Sequence, residues 1–187
     1  MSEVPTRAEA LALLHEYTQS ESLRKHALAV EACCLAYAPA DAEERHLWGL
    51  AGLLHDFDYE RWPNLPDHPL QGNKILAERG YPESVRHAIL AHCEQTGAKR
   101  ASPLDRTLFA CDELAGFLTA CALVKPGKSL AEVEPAGVRR KLKDKAFARS
   151  VSRADIEQGP AELGQPLDQH IARCLQAMQA IASALGL

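Results

Sequence analysis

The apolar run Leu47-Trp48-Gly49-Leu50-Ala51-Gly52-Leu53-Leu54 ends directly in His55-Asp56, and this junction constrains the fold more than any other part of the chain. A segment that reads as buried helix delivers an imidazole and a carboxylate into the interior. Three other apolar segments do something similar. Helical phase places His26 with Leu23, Ala29, Val30 and Cys33, and His92 with Val85, Ala88 and Ile89. Asp112 falls on the stripe of Leu104, Leu108, Ala115, Gly116 and Thr119. A lone histidine on an apolar face is usually a hydrogen-bonded core residue. Several imidazoles buried with two carboxylates are costly unless something pairs with them. A metal ion is the simplest partner, and helical bundles build such sites from side chains on facing helices.

The rest of the pattern is consistent with an all-α chain. Apolar residues make up 47% and aromatics only 5%, with Ala and Leu dominant, a balance that favours helix over sheet. No strand-like alternation, internal repeat or low-complexity tract occurs. Thr6 with Glu9 reads as a capping box for a helix to about Tyr17. Ser20 or Ser22 opens a second helix to about Tyr37, and Asp41 with Glu44 caps a third that ends near His55. His68-Pro69 opens a fourth, which stops at Gly80. Pro82 fits the first turn of a fifth, to about Glu94. Ser102-Pro103 starts a long one to about Val124. Leu130 to Arg153 reads as three short helices, and Leu167 to Leu185 as a last amphipathic helix through Ile171, Cys174, Leu175, Met178 and Ile181. The length of 187 residues suits one domain. Residues 1–125 would form the helical core with the site, and 126–187 a basic link and C-terminal helix packed on the same domain.

Several function classes are disfavoured. A net charge of −4 argues against a general nucleic-acid binder, although Arg139 to Arg153 carries seven basic residues against the single acid Asp144. The six cysteines form no Cys-x-x-Cys pair, which argues against a zinc ribbon and fits a reduced setting. Met1 to Arg7 holds no apolar signal core, and no segment approaches the ~20 apolar residues of a membrane span. A cytoplasmic protein is the expectation. Oligomeric state is not legible.

The ordered set His26, His55-Asp56, His68, His92 and Asp112 resembles the HD superfamily of metal-dependent phosphohydrolases, named for that dipeptide. The resemblance runs from about Leu23 to Leu123. It implies an HD-domain helical bundle with an appended C-terminal helical segment, holding one or two metal ions. By that resemblance His26, His55, Asp56 and Asp112 bind one metal, and His68 and His92 add a second that Asp56 bridges. His68-Pro69-Leu70-Gln71-Gly72 is similar to the family's His-Pro-x-x-Gly helix opening. The chain departs from the family after the dipeptide. Many two-metal members continue with an apolar residue, Gly and a phosphate-associated Lys; here the sequence reads Phe57-Asp58-Tyr59. Gly80-Tyr81-Pro82 precedes the fourth histidine rather than following it, and reads as a helix stop and start. With Asp112-Glu113-Leu114-Ala115-Gly116-Phe117, the pattern most resembles a bacterial group of HD/HDIG-type hydrolases inferred from sequence.

Histidine and carboxylate ligands suit Fe, Mn, Zn, Ni or Co. Such ions lower the pKa of bound water and supply a nucleophile near neutral pH. The expected activity is hydrolysis of a phosphate ester of a nucleotide or other small phosphorylated molecule. His55 and Asp56 would be its centre, with Asp58, Glu94 and Glu113 orienting ligands or moving protons. Arg139 and Lys143, four residues apart, would share a face and bind the substrate phosphate, brought over the site by a flap around Pro126, Lys128 and Leu130 to Pro135. Two alternatives stay open: a di-iron oxygenase on the same fold, and a non-catalytic nucleotide-sensing module. All six ligand positions are filled, which argues against the latter. His87 should face elsewhere, and His15, His46 and His170 should lie at helix surfaces or boundaries.

Overall fold

The computed structural model describes residues 4–187. Met1 to Glu3, part of the segment read for a signal core, lie outside the described residues. The protein is all-α, and no strand occurs among the described residues. No described helix is long and apolar enough to cross a membrane.

The first three helices begin at their expected caps. α1 (Arg7–Tyr17) is closed by the Thr6–Glu9 capping box. α2 (Glu21–Tyr37) starts at Ser20, whose hydroxyl accepts from the Leu23 amide. α3 (Ala42–Leu54) starts at Asp41, which accepts from the amides of Glu43 and Glu44. α4 (Asp67–Glu78) is regular only after Pro69, because His68 has ψ 131°. α5 (Glu83–Ala91) is shorter than expected at both ends. Pro82 is its cap rather than its first residue, with ψ 150°, and the helix stops at His92 because Cys93 is extended. α6 (Pro103–Leu123) carries a Ser102–Asp105 capping box and buries most of its length.

The C-terminal third departs more. Leu130–Glu132 is a single 3-10 turn, α7 covers Pro135–Leu142, and residues 143–150 are mostly turns. α8 (Arg153–Glu162) starts where the stretch from Leu130 to Arg153 ends, so that stretch holds one 3-10 turn and one short α-helix rather than three short helices. The last amphipathic stretch is α9 (Leu167–Ala180) followed by α10 (Ala182–Leu185), broken at Ile181.

α2 and α6 form the middle of the bundle, with α3 and α9 against α2, and α5 and α8 against α6. Gly52 permits the closest approach: a Cβ there would lie 2.7 Å from the Glu31 Cα, so α3 meets α2 backbone to backbone. α9 belongs to this core. His170 is fully buried, contrary to the expected surface position, because it sits one turn before Cys174 on α9's apolar stripe. Its Nε2–H donates to the Ala110 carbonyl at 2.8 Å, and its Nδ1 accepts from the Tyr37 hydroxyl at 2.7 Å. Burial lowers its pKa, which keeps the ring neutral. The link expected to be a flap is pinned instead. Leu130 and Val133 are buried, and the Arg153 guanidinium binds the carbonyls of Asp144, Phe147, Ala148 and Val151.

Candidate metal centre

Five structural elements deliver the six expected ligands to one place. His26 comes from α2 and Asp112 from the middle of α6, and they meet at 2.9 Å, Nε2 to Oδ1. His55 is the C-cap of α3, and Asp56 follows it in the turn. His55 Nε2 stands 3.3 Å from His26 Nε2, and 3.4 Å from both Asp56 Oδ2 and Asp112 Oδ1. His68, at the non-helical start of α4, reaches Asp56 Oδ1 with Nε2 at 3.0 Å. His92, the C-cap of α5, reaches the same oxygen at 3.6 Å.

The donors therefore form two groups, His26/His55/Asp56/Asp112 and Asp56/His68/His92. Ligand bonds of about 2.1 Å put neighbouring donors roughly 3.0 to 3.4 Å apart in octahedral or tetrahedral coordination. The observed separations cluster in that range, so the residues present fit divalent metal ions. Asp56 belongs to both groups and turns one oxygen toward each.

The imidazoles are oriented from behind. His55 Nδ1–H donates to the Gly52 carbonyl at 2.8 Å, and His92 Nδ1–H to the Ile89 carbonyl. Both acceptors lie three residues earlier, among the carbonyls that a helix C-terminus leaves free. His68 Nδ1–H donates to Asp58 Oδ1 at 2.7 Å. In each case the Nε2 lone pair is left facing inward, as metal-binding histidines require. Asp58 is itself fully buried, and its other oxygen accepts from the Gly72 amide at 2.8 Å. Gly72 is required there: a Cβ would lie 2.6 Å from the Asp58 carboxylate.

Electrostatics favour a cation at the centre. Burial pushes the His55 pKa down, but Asp56 and Asp112 more than offset it and hold the group well above the ordinary histidine value. His68 is likewise opposed by burial, yet Asp56 and Asp58 raise it to about 9. Desolvation works against ionising Asp56 and Asp112, while the surrounding imidazoles, His55 first, hold both below the usual carboxylate range. The field that keeps protons on these rings would also hold metal cations.

The centre opens into a cavity of about 310 Å³ walled by Tyr59, Leu65, Phe109, Glu113 and Asp155 as well as by ligands. Glu94 stands exposed at its rim, 3.5 Å from the Arg100 guanidinium. Glu113 accepts from the Ser152 amide at 3.0 Å, and burial, with Asp112 and Asp155 nearby, raises its pKa to about 7. Neither Arg139 nor Lys143 is brought to this cavity; Arg139 pairs with Asp168 of α9 at 3.1 Å. His87 faces away from the centre and pairs with Asp105 at 3.1 Å. Sequence reasoning missed Asp155, Tyr59 and Phe109. Asp155 had no legible signal, because it enters the cavity only through the packing of α8 on α6.

The family model for the HD domain matches residues 23–116, from the start of α2 to the middle of α6, and spans all six candidate ligands. The chain belongs to the HD domain family. No curated protein and no solved structure matches it. The HD domain is that of a superfamily of metal-dependent phosphohydrolases, and the matched stretch contains two groups of His and Asp side chains, both including Asp56, that could hold a metal ion.

Proposed function

We propose that this HD domain hydrolyses a phosphate ester of a nucleotide or another small phosphorylated molecule. The observation that carries the reading is Asp56, whose Oδ2 faces His55 at 3.4 Å while Oδ1 faces His68 at 3.0 Å. A carboxylate shared in this way suits two ions. His26, His55 and Asp112 would hold the first ion with Asp56, and His68 and His92 the second. Bound divalent ions supply Lewis acidity and an activated water near neutral pH.

The chain's own groups do the rest. Hydrolysis breaks the ester P–O bond, joins the water oxygen to phosphorus and returns a proton to the leaving alcohol. Asp58 fixes the ring of His68 and thereby the second ligand group. Glu94, at the rim, is positioned to exchange protons with solvent. Tyr59, Leu65 and Phe109 offer an apolar wall for the part of the substrate beyond the phosphate. Reduced metal access to bulk water would come from the same wall.

The test is phosphate release from a panel of monoesters, diesters and nucleotides by protein loaded with Mn, Ni or Co, with and without dioxygen. The expected result is release that requires metal, is indifferent to oxygen and is lost in Asp56→Ala. Consumption of oxygen coupled to substrate loss would transfer the site to the di-iron oxygenase reading. No reaction with any ester, with both ions bound, would overturn the hydrolase reading.

A further inference from the structure

The cavity around the candidate metal centre has an unexpected charge. Beyond the ligands its wall includes Glu94, Glu113 and Asp155, and no lysine or arginine lines it. Two arginines of neighbouring segments, Arg100 beside the wall residues Glu94 and Phe109 and Arg153 next to Ser152, are engaged elsewhere. Arg100 grips Glu162 through two bonds of 2.8 Å and lies over the Phe109 ring at 3.7 Å, with Glu94 at its edge. Arg153 turns to backbone carbonyls and lies over the Phe117 ring. Glu113 and Asp155 form no ion pair among the described residues, and Glu113 uses only one oxygen, on the Ser152 amide. That bond fixes the start of α8 and with it the position of Asp155, three residues on.

The charge balance follows directly. Two divalent ions set against Asp56, Asp58 and Asp112 leave one positive charge, which Asp155 alone cancels, while Arg100, already paired with Glu162, only partly offsets Glu94. A phosphate dianion entering such a site finds the ions but no protein cation. Burying charge without a partner is costly, so a substrate that brings its own cation is favoured. Tyr59, more than a third exposed at the mouth, adds an aromatic face of the kind that attracts ammonium groups.

We infer that the site selects a phosphate ester whose organic part carries a protonated amine, with the phosphate at the metal ligands and the ammonium against Asp155 and Glu113. This narrows the substrate class and rests on the hydrolase reading for its phosphate end. A polyanion would have to continue past Glu94 onto the open depression lined by Lys99, Arg100 and Arg106, which is the competing arrangement.

Calorimetric binding to the Mn-loaded full chain decides between them with three non-hydrolysable probes: 3-aminopropylphosphonate, butylphosphonate and propane-1,3-bisphosphonate. The aminoalkyl compound should bind about tenfold more tightly than its neutral isostere. Asp155→Asn should reduce that ratio, and Asp155→Lys should invert it, which a merely structural role for Asp155 would not do. Equal binding of the first two probes, tightest binding of the bisphosphonate, or a ratio unmoved by both variants would overturn the inference. Turnover of the matching phosphate esters separates the two claims. A binding preference without hydrolysis of either ester sinks the hydrolase reading and leaves this one standing. Hydrolysis of both esters at equal kcat/KM, with equal binding, does the reverse.

Discussion

The two ligand groups around Asp56 are built by different means. His26, His55 and Asp112 stand on or at the end of α2, α3 and α6, helices that pack on one another through the centre of the bundle. Their positions follow from core packing, and Gly52 draws α3 close enough to α2 for His55 and His26 to meet. His68 and His92 instead occupy element ends, one before α4 becomes regular and one at the cap of α5. Their group depends on a local device in which Asp58 ties His68 to the Gly72 amide. The first group is thus as rigid as the core, whereas the second can be lost while the fold persists.

Removing the shared residue tests this comparison most severely. Asp56→Ala should abolish both candidate sites, leaving no bound ion and activity below detection, as elemental analysis and a phosphate assay would show. One ion retained at full occupancy would mean that Asp56 is not shared. Asp58→Asn should act on one side only. Asp58 accepts on both oxygens, and an asparagine can accept on just one, so either His68 or Gly72 loses its partner. Affinity for the second ion should fall by roughly 10- to 100-fold while the first stays bound, read by metal titration. Equal weakening of both ions would show the groups to be a single unit.

The same distinction explains what the sequence made legible. The first group lies on helical stripes, where phase alone points a side chain inward: Asp112 among Leu108 and Ala115 could only face the core. His68 could not be placed that way, because it precedes the regular part of α4 and its direction is set by Asp58, ten residues earlier. The caps at Thr6, Ser20, Asp41 and Ser102 were readable because they are local hydrogen-bond patterns. The basic run from Arg139 to Arg153 was misleading for the opposite reason. Its charge is visible in sequence, but the partners that absorb it, Asp168 for Arg139 and the backbone carbonyls for Arg153, belong to tertiary structure or to turns. His170 was read as peripheral because one polar residue on an amphipathic helix gives no hint that α2 and α6 supply Tyr37 and Ala110 as its partners.

A smaller effect should come from Gly72→Ala. The added Cβ would meet the Asp58 carboxylate at 2.6 Å and the Phe57 ring at 2.9 Å, and Asp58 cannot yield without releasing His68. Overpacking of this kind costs about 1–3 kcal/mol. Chemical denaturation should register that loss, and metal titration should show the second ion weakened and the first unchanged. A stability loss with both affinities intact would detach Gly72 from the site.

The smallest effect contrasts two buried histidines in the metal-free protein. His68 faces Asp56 and Asp58, so its folded pKa of about 9 lies above the unfolded value near 6.5. Its contribution to stability is complete below pH 6.5 and is lost as pH rises through 9. His170 faces only a carbonyl and a hydroxyl, and burial lowers its pKa. Its contribution is complete above pH 6.5 and declines as pH falls below that value, because the unfolded chain takes up the proton first. Melting temperatures recorded across this range should therefore show the alkaline decline reduced in His68→Gln and the onset of the acid decline reduced in His170→Gln. Metal binding should remove the first dependence, since His68 must be neutral to bind an ion, and leave the second in place. If metal suppressed both, the C-terminal helix would be coupled to the centre through α6, and the ligand groups could no longer be treated as the only part of the fold that the metal stabilises.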